Sequence, residues 1–172
     1  MKLTEEFSHE KYRKTRHKPN RQHIIIPILL TVATLMLLIY VLEILDKDFR
    51  YSSGSAIVFA SFAASAFTLF MTPYARSSNV NRFIRSYTIA AILGEMGYLL
   101  TGTIGFYAAS ALTLFMVALL MFETDSMHPA AMGIAFAFVI YQLDYVGVLI
   151  VVVGVTVFTM IKVVLEYFNI NP

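Results

Sequence analysis

The 172-residue sequence contains no cysteine and no tryptophan, and only 14% of it is charged. The missing cysteines exclude disulfides, thiolate metal sites and thiol catalysis, and say little about compartment. With 58% hydrophobic residues and a mean hydropathy of +0.71, the chain falls outside the range of soluble globular domains. It belongs in a membrane. It also lacks a Gly-rich phosphate loop, a nucleophile elbow and a zinc-type His-Glu spacing, so no enzymatic activity and no cofactor are expected.

The charges that are present are unevenly placed. Of 13 Lys and Arg residues, seven (Lys2, Lys11, Arg13, Lys14, Arg16, Lys18, Arg21) precede Ile24, against the acids Glu5, Glu6 and Glu10. The net charge of +2 therefore conceals a basic tail on a slightly acidic body. Residues 1–23 carry neither an apolar run of signal-peptide length nor a small-residue cleavage pattern, which reads as a retained, cytoplasmic tail. Its charges suit topology and anionic lipid rather than nucleic acid. His9, His17 and His23 lie in or beside the tail, apart from His128, so no metal set is expected.

Six apolar runs follow: Ile24 to Leu45, Gly54 to Thr72, Ile84 to Leu100, Ile104 to Phe122, Pro129 to Leu143 and Tyr145 to about Tyr167. As a helix the first is about 33 Å long and spans a hydrocarbon core of about 30 Å, whereas the fifth is only about 22 Å. Because unpaired backbone groups are costly in lipid, the expected fold is all-α. It is a polytopic bundle of six segments, the fifth short or partly re-entrant. The segments divide three and three by hydropathy, which would make the halves inverted repeats. Arg76, Arg82 and Arg85 between segments two and three belong with the tail on the cytoplasmic side of a plasma or inner membrane. Residues 46–53 and a short turn at Thr101 to Thr103 are then outside. A crossing segment five returns the C-terminus to the cytoplasm; a re-entrant one leaves it outside.

Two helices carry small residues at helical spacing: Ala56, Ala60 and Ala64 in segment two, and Ser86, Ala90 and Gly94 in segment three. Such stripes allow close backbone approach in lipid, which predicts burial in the bundle or at the interface of a homo-oligomer.

Chemistry concentrates at "ETDSMHPAA", Glu123 to Ala131. Pro129 suits the first helical position and puts His128 at the N-cap. A helix starting there aims the N–H groups of Ala130, Ala131 and Met132 beyond His128, a terminus suited to an anion; an ordinary interfacial helix start fits the same residues. A second terminus is expected at Gly54 to Ala56, with Ser52, Ser53 and Ser55 as caps. Glu123 and Asp125, one turn upstream, would repel an anion or hold His128 protonated. Glu95, inside segment three, either serves a proton or ion path with Arg85, His128 or Tyr98, or snorkels to the outer interface.

The stretch "SFAASAFTLFMTPYARSSNVNR", Ser61 to Arg82, and the motif "HPAA", His128 to Ala131, resemble two blocks of the HPP family of integral membrane proteins, in the same order and at a similar separation. By position, Ser61, Ala63, Ser65, Asn79, Val80, His128 and Pro129 match the family pattern. Ala130 replaces the second proline of the namesake motif, and "NRFIR" replaces the glycine-rich continuation after Asn79 and Val80. The resemblance implies a compact multi-helix membrane protein, usually described with four transmembrane helices, and some members are associated with nitrite transport. It makes a transporter or channel for a small inorganic anion, nitrite-like, the expected function. The route would be lined by His128, Pro129, Ala130, Ala131, Ser61 and Ser65, with Asn79 near the cytoplasmic mouth. A proton or cation channel through Glu95, or a non-transporting scaffold, are the alternatives. The anion reading predicts that segment five starts below the membrane surface with His128 facing a polar cavity.

Overall fold

The computed structural model describes residues 21–45, 55–72 and 75–167, and every regular element among them is helical. The order is α1 (Arg21–Leu45), α2 (Ser55–Met71), a 3-10 turn (Arg76–Ser78), α3 (Val80–Ile104), α4 (Phe106–Glu123), α5 (Pro129–Tyr141) and α6 (Tyr145–Tyr167). Spans within α1, α4 and α6 are long and apolar enough to cross a membrane, and α2 and α5 are shorter apolar helices. Large side chains such as Leu29, Tyr40, Phe115, Phe122 and Met160 are exposed on the outside of the bundle, as a lipid solvent requires. Most of the basic tail (residues 1–20) and residues 46–54, with the expected caps Ser52 and Ser53, lie outside the described residues, and the third expected cap, Ser55, is the first residue of α2.

Local chemistry moves the helix ends away from the apolar runs. Asn79 caps α3, its side-chain oxygen accepting from the N–H groups of Asn81 at 3.0 Å and Arg82 at 3.3 Å; the helix therefore starts at Val80 rather than Ile84 and carries Arg82 and Arg85. At the far end the expected turn over residues 101–103 is helical instead. The hydroxyls of Thr101 and Thr103 donate back to the carbonyls of Tyr98 and Leu100 at 2.6 and 2.9 Å, so threonine continues the helix. The reversal falls on Gly105, whose φ of 80 and ψ of 161 are accessible essentially to glycine alone.

Contacts between α2 and α6 fix alternating directions. Gly97 of α3 meets Thr113 of α4 while Arg85 reaches Thr124, so these two are antiparallel. Gly94 and Gly97 lie against Phe138 and Val139 of α5 and Phe83 against His128, so α3 and α5 are parallel. Ser65 and Ser61 of α2 lie against His128 and Gly133, and Gly147 and Phe158 of α6 against Phe138 and Phe83. α2 and α6 thus run opposite to α5, and α6 ends beside the end of α2. The last helix brings the chain back to the end of the bundle that carries Arg82 and Arg85.

α5 has 13 residues, about 20 Å, beside an α3 of 25 residues, about 37 Å. Its start is level with Phe83 and its last turn with Gly97, so most of its shortfall lies at the far end. The chain turns back there through Gln142, in a left-handed conformation with φ 51. Asp144 then caps α6 by accepting from the N–H of Val146 at 2.9 Å.

The two small-residue stripes separate. Ser86, Ala90 and Gly94 are buried, whereas Ala56, Ala60 and Ala64 all face outward. The buried face of α2 is instead Val58, Ser61, Phe62, Ser65, Ala66 and Leu69. Phe62 demands depth, and rotating it inward carries the alanine stripe to the lipid side.

Candidate functional site

Ser65 projects from α2, Tyr87 from α3 and His128 from the start of α5, and all three are buried to 2% exposure or less. Ser65 Oγ lies 2.6 Å from the Tyr87 hydroxyl and 2.8 Å from His128 Nε2. Tyr87 also reaches the Ser61 carbonyl at a longer 3.3 Å. The Ser61 carbonyl can only accept, from the Tyr87 hydroxyl, and the donors along Ser65–Tyr87 and Ser65–His128 follow from the imidazole tautomer. His128 Nδ1 closes no hydrogen bond among the described residues. Aromatic rings enclose the chain of hydroxyls. Phe62 stacks on Tyr87 with centroids 5.3 Å apart, and Phe83 meets His128 edge-on at 5.6 Å.

The α4–α5 connection holds His128 in place. α4 ends on a pair of bonds, Ser126 N–H to the Met121 carbonyl at 2.9 Å and Asp125 N–H to the Phe122 carbonyl at 3.1 Å, with Asp125 left-handed at φ 48. This is the hydrogen-bond pattern of a Schellman terminus, with aspartate where glycine is usual. The turn swings the Asp125 carboxylate onto both guanidinium nitrogens of Arg82, and Arg85 donates to the Thr124 carbonyl at 2.8 Å. The arginines that cap the bundle thus clasp the loop carrying His128. Because the ion pair is partly exposed, with side chains 25% and 62% accessible, Arg82→Gln and Asp125→Asn should show a coupling of only about 0.2–1 kcal/mol in a double-mutant cycle read by denaturant unfolding.

The expected residues are distributed as follows. Ser61, Ser65 and His128 come together; Gly133 of α5 approaches so closely that an added Cβ would lie 2.7 Å from Ser61 Oγ. Pro129 occupies the first turn of α5 behind a His128 N-cap that makes no capping bond of its own. The N–H of Ala131 is taken by the His128 carbonyl at 2.9 Å, which removes it from the free donors expected at that terminus. Asn79 is exposed and serves as the α3 cap, outside the cluster. Asp125 pairs with Arg82, and Glu123 is exposed; neither hydrogen-bonds His128, whose Nε2 belongs to Ser65. Glu95 lies two turns along α3 from Tyr87, toward the end where Asp144 caps α6, and its Oε2 closes no hydrogen bond among the described residues, to Arg85, His128 or Tyr98 included.

The two sequence blocks that suggested a family therefore meet in space, through Ser65 and His128, 63 residues apart. A family model described as the HPP transmembrane region matches residues 16–171. The chain belongs to the HPP family. No curated protein and no solved structure matches it. This HPP chain replaces the second proline of the motif with Ala130, yet keeps the N-terminal proline that starts α5 in register with Ser65. Sequence reasoning missed Tyr87, the third member of the cluster. Tyr87 stands two residues after Arg85 and three after Ile84, where a tyrosine resembles an interfacial anchor, so the sequence carried no signal of its burial.

Proposed function

We propose that this integral membrane protein of the HPP family is a transporter or channel for a small inorganic anion, nitrite-like by family resemblance. The plasma or inner membrane with a cytoplasmic N-terminus and Arg82–Arg85 end is the setting that fits the loop charges. The carrying observation is the Tyr87–Ser65–His128 chain, a buried set of hydroxyl and imidazole groups spanning three helices without a carboxylate among them. Groups that donate hydrogen bonds suit an anion stripped of water. With the Ala131 N–H engaged by the His128 carbonyl, the side chains add donors to those of the helix terminus at His128-Pro129. The outward Ala56–Ala60–Ala64 stripe supports close packing of a second copy in a homo-oligomer.

A second reading rests on Glu95, whose Oε2 is buried without a hydrogen bond among the described residues. Together with Asp144 it suits a proton or cation path entering from the opposite end. Uptake into proteoliposomes separates the readings. Saturable entry of nitrite, tested beside nitrate, formate and chloride, is expected above empty vesicles and unchanged in Glu95→Gln. Proton or cation flux that disappears in Glu95→Gln would favour the second reading, and no flux of any ion would leave a scaffold.

A further inference from the structure

Lys162 is the most deeply buried cation among the described residues, at 3% exposure. It stands on α6 one turn beyond Phe158, which packs against Phe62 at 5.5 Å and Phe83 at 6.1 Å. These are the rings that enclose Tyr87 and His128. Its ammonium meets the Leu69 carbonyl at 3.4 Å, and Leu69 follows Ser65 by one turn of α2. The lysine therefore sits about 6 Å along the bundle from the Ser65–His128 pair, toward the end that carries Arg82.

An ammonium has three donors and no acceptor. Here it makes one long contact to a carbonyl and one ion pair, 3.6 Å to Glu166, whose side chain is 54% exposed. Both are weak for a charge removed from solvent, and a charge inside a bilayer is costly unless well paired. Supporting the C-terminal carbonyls of α2 accounts for a lysine near that point, but a lysine in that role works at the surface and does not require burial. A loosely satisfied cation with a removable exposed counter-ion is a recognisable arrangement for exchanging one anion for another.

Building on the anion reading above, we propose that Lys162 carries the positive charge of an anion-binding site between α2 and α6, where a small monovalent anion replaces the Glu166 carboxylate. Glu166 then competes with the ligand. Replacing the two residues acts in opposite directions, which a purely structural lysine would not produce.

The test uses thermal unfolding of the purified full-length protein in detergent, in sodium nitrite against sodium gluconate at equal ionic strength. The parent should show a saturable nitrite-dependent rise in Tm. Lys162→Met, which keeps a long side chain without charge, should lose that rise. Lys162→Arg should retain it, and Glu166→Gln should reach half its maximum at a several-fold lower nitrite concentration. Glu166 is exposed, so its variant reports even where Lys162→Met folds poorly. A rise that survives in Lys162→Met, a parent without a rise, or a Glu166→Gln that needs more nitrite would overturn the site. Liposome uptake keeps the two proposals apart. Lys162-dependent binding with no parental uptake preserves the site and removes transport; uptake that persists in Lys162→Met, with its nitrite response intact, does the reverse.

Discussion

His128→Ala should reduce anion uptake by about 100-fold or more, the loss expected when a positioned polar group of a buried site is removed. The substitution deletes the imidazole partner of Ser65 and leaves the Ser65–Tyr87 pair as a truncated chain beside the space of the lost ring. A buried hydroxyl deprived of its partner costs about 1–3 kcal/mol, so folding must be measured beside flux. Tyr87→Phe separates the two effects. It keeps the stack on Phe62 and the contact with Phe83 while removing one hydroxyl, and should lower uptake about tenfold if each polar link contributes on the order of 1.4 kcal/mol. Initial rates in proteoliposomes with matched protein incorporation give the answer. Flux in His128→Ala within about twofold of the parent would place the route elsewhere.

Gly154→Val should destabilise the bundle strongly. A Cβ at Gly154 would lie 2.2 to 2.8 Å from three carbons of the Phe62 ring, and that ring is fully buried between Tyr87 and Phe158. It cannot swing aside without disturbing the phenol that holds Ser65. Overpacking of this kind costs about 1–3 kcal/mol and sometimes more, and the branched side chain exceeds the alanine case. Unfolding in detergent should show the loss, with uptake falling in parallel. Gly102→Val is the control: a Cβ there meets nothing within 4 Å, so its stability should stay within about 1 kcal/mol of the parent, the helix propensity difference being small and favourable. Equal losses in both variants would mean that glycine flexibility, not the approach of Phe62, is what matters at residue 154.

Hydropathy alone located six helices, because lipid leaves an apolar run few alternatives. It was less informative where polar side chains extend or stop a helix. Asn79 and Asp144 are capping residues whose type signalled their role, yet the apolar runs placed the start of α3 four residues late. Thr101 and Thr103 looked like a turn because their hydroxyls are polar; the hydroxyls spend that polarity on their own helix. At the site, the HPAA and SFAAS blocks pointed to His128 and Ser65. Their pairing was not legible, since it depends on the rotation of α2 set by Phe62. Lys162 lies near the end of the last apolar run, and only the packing of α6 against α2 reveals that it is buried. Likewise Arg82 and Asp125 are 43 residues apart, and nothing in either neighbourhood specifies the other.

The brevity of α5 also bears on how the protein is made. Thirteen residues are too few to enter a bilayer as an independent span of about 20, whereas the hairpin of α5 with α6 supplies enough apolar length. α2 and α3 precede that hairpin in the chain and can be in place first, with Ser65 and Tyr87 already paired. His128 arrives with the late hairpin. The polar cluster is thus the closing step of assembly, and a variant that weakens it should accumulate as a protein whose last two helices remain accessible to protease during synthesis.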